Sequence, residues 1–183
     1  MTRRRGGGLG RQRTAMALLA ALALGGCVET AGDLATSPDV ALPFARRPDA
    51  SMGGASLAIL SVEGAPEPLA HAFDQSLEAA ASDRQIKLSP PTSAKYLARG
   101  YLSASRVKDG VAVAFVWDVF TPDKQRVRRL ADTIVVSGSG DDPWATVTPA
   151  ALDSIAAKCA DDLAAYLSNT PEAAPGGALS YAQ

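Results

Sequence analysis

The chain has 183 residues, 20% of them charged, with a formal net charge of −1, and that length suits a single domain. Five of its 18 basic residues (Arg3, Arg4, Arg5, Arg11 and Arg13) precede the first acid, so the chain from Cys27 onward carries 13 basic against 19 acidic residues, or −6. An acidic body excludes a general nucleic-acid binder, which needs a basic surface, and a domain lying flat on anionic lipid.

Residues 15–24, "AMALLAALAL", are continuously apolar. The run is too short to cross a bilayer, which takes roughly 20 apolar residues. A basic stretch, a short apolar run and small residues at its end make a secretory signal. This one closes in Leu24-Gly25-Gly26-Cys27, which resembles the lipobox of bacterial lipoproteins. The resemblance implies removal of residues 1–26, a diacylglyceryl thioether on Cys27, and acylation of the new amino terminus. Lipid attachment at Cys27 makes the membrane its first partner, because two or more acyl chains anchor firmly where one does not. Val28 stands where an Asp would retain such a protein in the inner membrane under the enterobacterial sorting rule. Its presence implies an outer-membrane anchor facing the periplasm.

Residues 27–55 have no sustained period and are rich in Pro, Gly, Ser and Asp, which reads as a lipidated flexible tether. The apolar island Val40-Ala41-Leu42-Pro43-Phe44 would dock on the domain or on a partner. The folded α/β periplasmic domain is expected over 56–169. "SLAILSVEG" (56–64) is a buried strand by its apolar run. A helix over 66–84 places Leu69, Phe73, Leu77 and Ala80 on one stripe, with prolines at its start. After a brief extended piece at 86–88, strands follow over 94–107, 111–120 and 126–138. The Asp109-Gly110 hairpin joins the first two of these, and a turn at 121–125 joins the last two. Thr148-Pro149 caps a closing helix that runs to about Leu167. Residues 170–183 carry no core pattern and read as a disordered tail.

The order β-α-β-β-β-α predicts an α+β fold: an antiparallel sheet of about four strands with both helices packed on one face. It resembles a small periplasmic α/β domain of bacterial envelope proteins. The carrying features are the strand ending in Val62-Glu63-Gly64, the helix after it, "YLARGYLSA", "VWDVF" and the closing helix. Such a domain occurs at the N-terminus of the Tol-system β-propeller protein and in outer-membrane lipoprotein activators of penicillin-binding proteins. A related core occurs in the curli-secretion lipoprotein. The resemblance implies protein binding or assembly, not catalysis.

The chemistry of single residues points the same way. His71 shares a helical face with Asp74, Gln75 and Glu78, a solvated surface. No His or Cys cluster has metal-ligand spacing, and no nucleophile elbow or phosphate loop is present, so no cofactor, metal or catalytic residue is expected. Asp141-Asp142 precedes a helix, and Asp161-Asp162 reads as helix surface. Cys159 repeats with Leu152, Ile155, Leu163 and Tyr166 on one helical face, as a buried thiol would; the competing reading is a reactive odd cysteine. Lys124, Arg126, Arg128 and Arg129 cluster at the 120s hairpin. They read either as a basic patch for peptidoglycan, lipid phosphate or an acidic partner, or as charge protecting a sheet edge. Strand alternation puts Arg126 and Arg128 on one face and Arg129 on the other. Trp144 reads either as an interface anchor or as core. The expected function is a non-enzymatic binding or assembly module of the cell envelope, with an envelope protein or peptidoglycan as partner. The alternative is an auxiliary lipoprotein subunit of an envelope transport system.

Overall fold

A strand, a helix and a second strand open the domain. Strand β2 (Leu57–Glu63) leads into helix α1 (Glu67–Asp83), and the chain returns in β3 (Tyr96–Val107). A helix between neighbouring strands carries the chain back to the end where the first strand began, so the two must run parallel, and β2 pairs parallel with β3. The expected all-antiparallel sheet is therefore corrected to a mixed one. β4 (Gly110–Phe120) and β5 (Arg126–Val136) then continue as an antiparallel meander. Helix α2 (Pro149–Ser168) closes the domain, with the Thr148 hydroxyl accepting from the Ala151 amide as its N-cap.

The computed structural model describes residues 40–41 and 45–173, which belong to one unit spanning 36–183. Within it a two-residue strand, β1 (Val40–Ala41), pairs parallel with Arg129 and Leu130 of β5. The element order thus begins with an extra strand, and the sheet order is β1-β5-β4-β3-β2.

Alternation along β4 sets the two faces of the sheet. Val111, Val113, Phe115, Trp117 and Val119 are all 0–1% exposed and share one core with Phe73 and Leu77 of α1 and Leu152, Ile155, Cys159, Leu163 and Leu167 of α2. Each such large side chain contributes about 1.5–3 kcal/mol by leaving water. Both helices therefore cover the same face. They run parallel to each other: Ser76 donates to Asp153 (2.6 Å), and two turns on, Arg84 forms a two-pronged pair with Asp161 (2.6 and 3.0 Å). Among the described residues the opposite face carries a small buried apolar cluster of Ala58, Ala94 and Leu97 with Phe120.

The order of the domain reaches further than its hydrophobic period suggests. Met52 and Ala55 are buried. The Arg47 amide donates to Ser168 Oγ (3.0 Å), its guanidinium donates to the Ala173 carbonyl (3.0 Å), and Asn169 donates to the Ala45 carbonyl (3.1 Å). On the other side of this junction the Tyr96 hydroxyl donates to Glu172 (2.6 Å). Residues 45–55 and 170–173, expected in the tether and the tail, are instead held against each other at the end of α2 by specific hydrogen bonds.

Candidate functional site

The basic residues of the β4–β5 hairpin do not form the arrangement that simple alternation predicts. The register between β4 and β5 shifts: Val119 faces Arg128, whereas Phe120 faces Arg126. Val127 is the extra residue, and this bulge reverses the face of everything before it. Arg126 and Arg129 consequently stand together on the open face. Arg128 falls on the helix face, where its charge lowers the Tyr166 hydroxyl pKa against a larger upward push from burial. The expected pairing of Arg126 with Arg128 is corrected by that one inserted residue. Lys124 sits in the tight turn with a left-handed backbone (φ 62°) and is exposed.

Asp118 organises the open-face arginines. It lies in the middle of β4 and is only 5% exposed. Arg129 grips its carboxylate with two charge-assisted hydrogen bonds, Nε to Oδ1 at 2.7 Å and Nη2 to Oδ2 at 2.6 Å. Arg126 approaches to 3.7 Å. Arg99 of β3 is the cross-strand neighbour of Asp118 on the other side and is exposed. One row across the sheet therefore reads Arg99, Asp118, Arg129, with Arg126 beside it. Arg126 and Arg129 thus meet at one carboxylate, with Arg99 on the neighbouring strand, a local gathering of cations in an otherwise acidic body. A buried carboxylate orients an arginine fork without neutralising its neighbours. Around this row the open face carries Tyr101, Ser103, Val116, Thr133 and Val135, and Tyr101 and Val135 are 37% and 56% exposed. The surface suits a carboxylate, a phosphate or an acidic protein face.

Trp144 does not join this cluster. It is half-buried against the main core, in a short turn whose amide donates to Asp142 (2.9 Å). Gly138 lies close to Thr146 of that turn, which keeps Trp144 near the Val136 end of β5, a strand's length of about 35 Å from the 121–125 turn. Cys27 lies outside the described residues.

Asp162 also departs from expectation. It points inward, at 6% exposure, and meets Lys158 at 2.6 Å, while Lys158 also reaches Asp132 of β5 at 2.5 Å. Cys159 is completely buried. Burial pushes its thiol up to about 12, opposed by the neighbouring Trp117 indole. Among the described residues no group of three or more His, Cys, Asp or Glu is placed to hold a metal ion, and no helix is long and apolar enough to cross a membrane.

Sequence reasoning found two of the open-face cations, Arg126 and Arg129, but missed Asp118 and Arg99. A carboxylate inside the apolar strand "VAVAFVWDVF" is the signal that would have led to them. A charge there demands a partner, and its cross-strand neighbours are the place to look.

The fold is a two-layer mixed α/β arrangement in which, among the described residues, no element packs on the second sheet face. No protein-family model matches the chain, and no curated protein matches it significantly. Among solved structures it shows a distant similarity to the PelC dodecamer from Paraburkholderia phytofirmans. A single-substitution variant of that protein has 16% identity and a TM-score of 0.42, over 68% of this chain and 92% of the other. A second crystal form has 15% identity and a TM-score of 0.41, over 70% and 92%.

Proposed function

We propose that this chain is a lipoprotein, anchored through Cys27 and facing the periplasm, whose domain is a non-enzymatic binding or assembly module of the cell envelope. The observation that carries the reading is the sheet face on which no described element packs, with Arg126 and Arg129 at the buried Asp118 and Arg99 beside them on β3. The lipobox and the tether provide the membrane attachment, and the open face provides a rigid cationic surface for an anionic partner. The partner class is an acidic envelope protein or the carboxylates of peptidoglycan.

Arg99→Glu combined with Arg126→Glu tests this. Both side chains are exposed and Arg129 keeps its two bonds to Asp118, so the variant should stay folded, with a stability loss of no more than about 2 kcal/mol. Because complementarity has a sign, crosslinking from a photoreactive residue at position 133 in intact cells should lose its partner. Unchanged crosslinks in the folded variant would remove the face as a site. The identity of the captured partner, a peptidoglycan synthase or scaffold against a transporter subunit, separates an assembly module from a transport accessory.

A further inference from the structure

β2 is the outermost strand of the sheet, at the edge opposite β1. The protein itself begins to cover that edge and then stops. The Leu57 amide donates to the Lys87 carbonyl, and the Ser89 amide donates to the Leu57 carbonyl, both at 2.9 Å. This is a single bridge of parallel pairing at Leu57 and Leu88. The next residues are Pro90 and Pro91, which have no amide hydrogen to give and leave the strand direction. Among the described residues nothing pairs with the outer edge of β2 beyond Leu57.

A groove of about 450 Å³ runs along this edge, between β2 and α1. Its floor is apolar, with Ile59, Val62 and Leu77. Leu60, the extra residue at a register shift in β2, and Leu88 line it while 38% and 40% exposed. Asp74 and Glu78, one helical turn apart on α1, form its acidic wall. Burial raises the Asp74 carboxyl, His71 opposing and Glu78 and Glu67 adding to the rise; because Asp74 and Glu78 both line the groove, a cation there would meet two carboxylates.

We propose that this groove receives an extended cationic polypeptide segment of an envelope partner, which adds to β2 as the next strand where Pro90-Pro91 leaves off. The unpaired edge supplies main-chain hydrogen bonds, as in strand addition generally. Lys or Arg at alternate positions would meet Asp74 and Glu78, and the apolar residues between them would lie on the opposite face of the added strand. A second copy of this chain is a poor occupant, because its own β2 edge would bring another Asp74 and Glu78 against the first pair.

The experiment uses the full chain in detergent and blocked synthetic peptides of alternating Lys and Val, with alternating Glu and Val as control. The Lys peptide should bind with a Kd below about 1 mM, slow hydrogen exchange at the 59–63 amides, and lose affinity as salt rises. Methylating the backbone nitrogens along one edge of the peptide should abolish binding. Asp74→Asn with Glu78→Gln should weaken it about tenfold or more, and Arg99→Glu with Arg126→Glu should leave it unchanged, so this edge stands or falls apart from the open face. Absence of binding, equal binding of the Glu peptide, indifference to backbone methylation, or exchange protection at 59–63 caused by self-association without peptide would each overturn the proposal.

Discussion

Cys159 shows what burial does to a single group. The thiolate is the reactive form, and a thiol pushed up to about 12 inside a core with no exposure supplies almost none of it. Native protein should resist a maleimide for hours at pH 7 and react at once in denaturant, read by mass shift; rapid native labelling would return Cys159 to the reactive class. The Lys158 bridge makes a second point at this scale, because its two carboxylates titrate in opposite senses. Burial raises Asp132, but the hydrogen bond from Lys158, the Thr133 amide and the ammonium charge outweigh it and hold the carboxyl below its ordinary value. Its contribution is fully present above the unfolded pKa of about 3.9 and is lost as pH falls through the lower folded value. For Asp162 burial wins over Lys158 and the pKa is raised; its contribution is present below the unfolded pKa and lost as pH rises through the folded one. Asp132→Asn should therefore cost about 1 kcal/mol at neutral pH, a deficit that shrinks as pH falls below the unfolded pKa and through the lowered folded one. Asp162→Asn should gain on the parent as pH rises. Urea unfolding from pH 3 to 7 reads both slopes.

Among the elements, Gly100 decides how β3 meets β4. It faces Trp117 across the pair, and a Cβ there would stand 2.7 Å from Cη2 and 2.8 Å from Cζ3 of the indole. Trp117 is completely buried and has nowhere to move. Gly100→Ala should destabilise by about 1–3 kcal/mol through overpacking, measured by chemical unfolding, while Gly53→Ala, whose nearest neighbour is Ser51 Oγ at 3.8 Å, should be close to neutral. The elements themselves were legible in the sequence, because period two in "VAVAFVWDVF" and the Leu69–Phe73–Leu77 stripe are local properties. Pairing was less so. The helix between the first two main strands already implied a parallel pair if they were neighbours, but adjacency belongs to the folded sheet. The bulge at Val127 is a property of two strands at once, and it moved Arg126 to the face of Arg129. The edge groove depended on Pro90-Pro91 ending a pairing whose first bond links residues 30 apart, Leu57 and Lys87.

For the whole molecule, the proposed amino-terminal anchor is the part that sequence alone carries, since residues 1–39 lie outside the described region. Cys27→Ala should abolish incorporation of labelled palmitate and leave an unprocessed precursor on a gel; palmitate incorporation in that variant would remove the lipobox reading. The docking of Val40–Ala41 on β5 then sets a mechanical limit. If the chain were free up to residue 55, the domain would hang on 28 residues; with β1 in place only 12 separate Cys27 from Val40, and fully stretched they reach about 40 Å. With the lipid anchor we propose at Cys27, the domain would work on a short leash. Whatever it met would have to come within a shallow layer above the lipid, and peeling β1 away would be the way to lengthen its range.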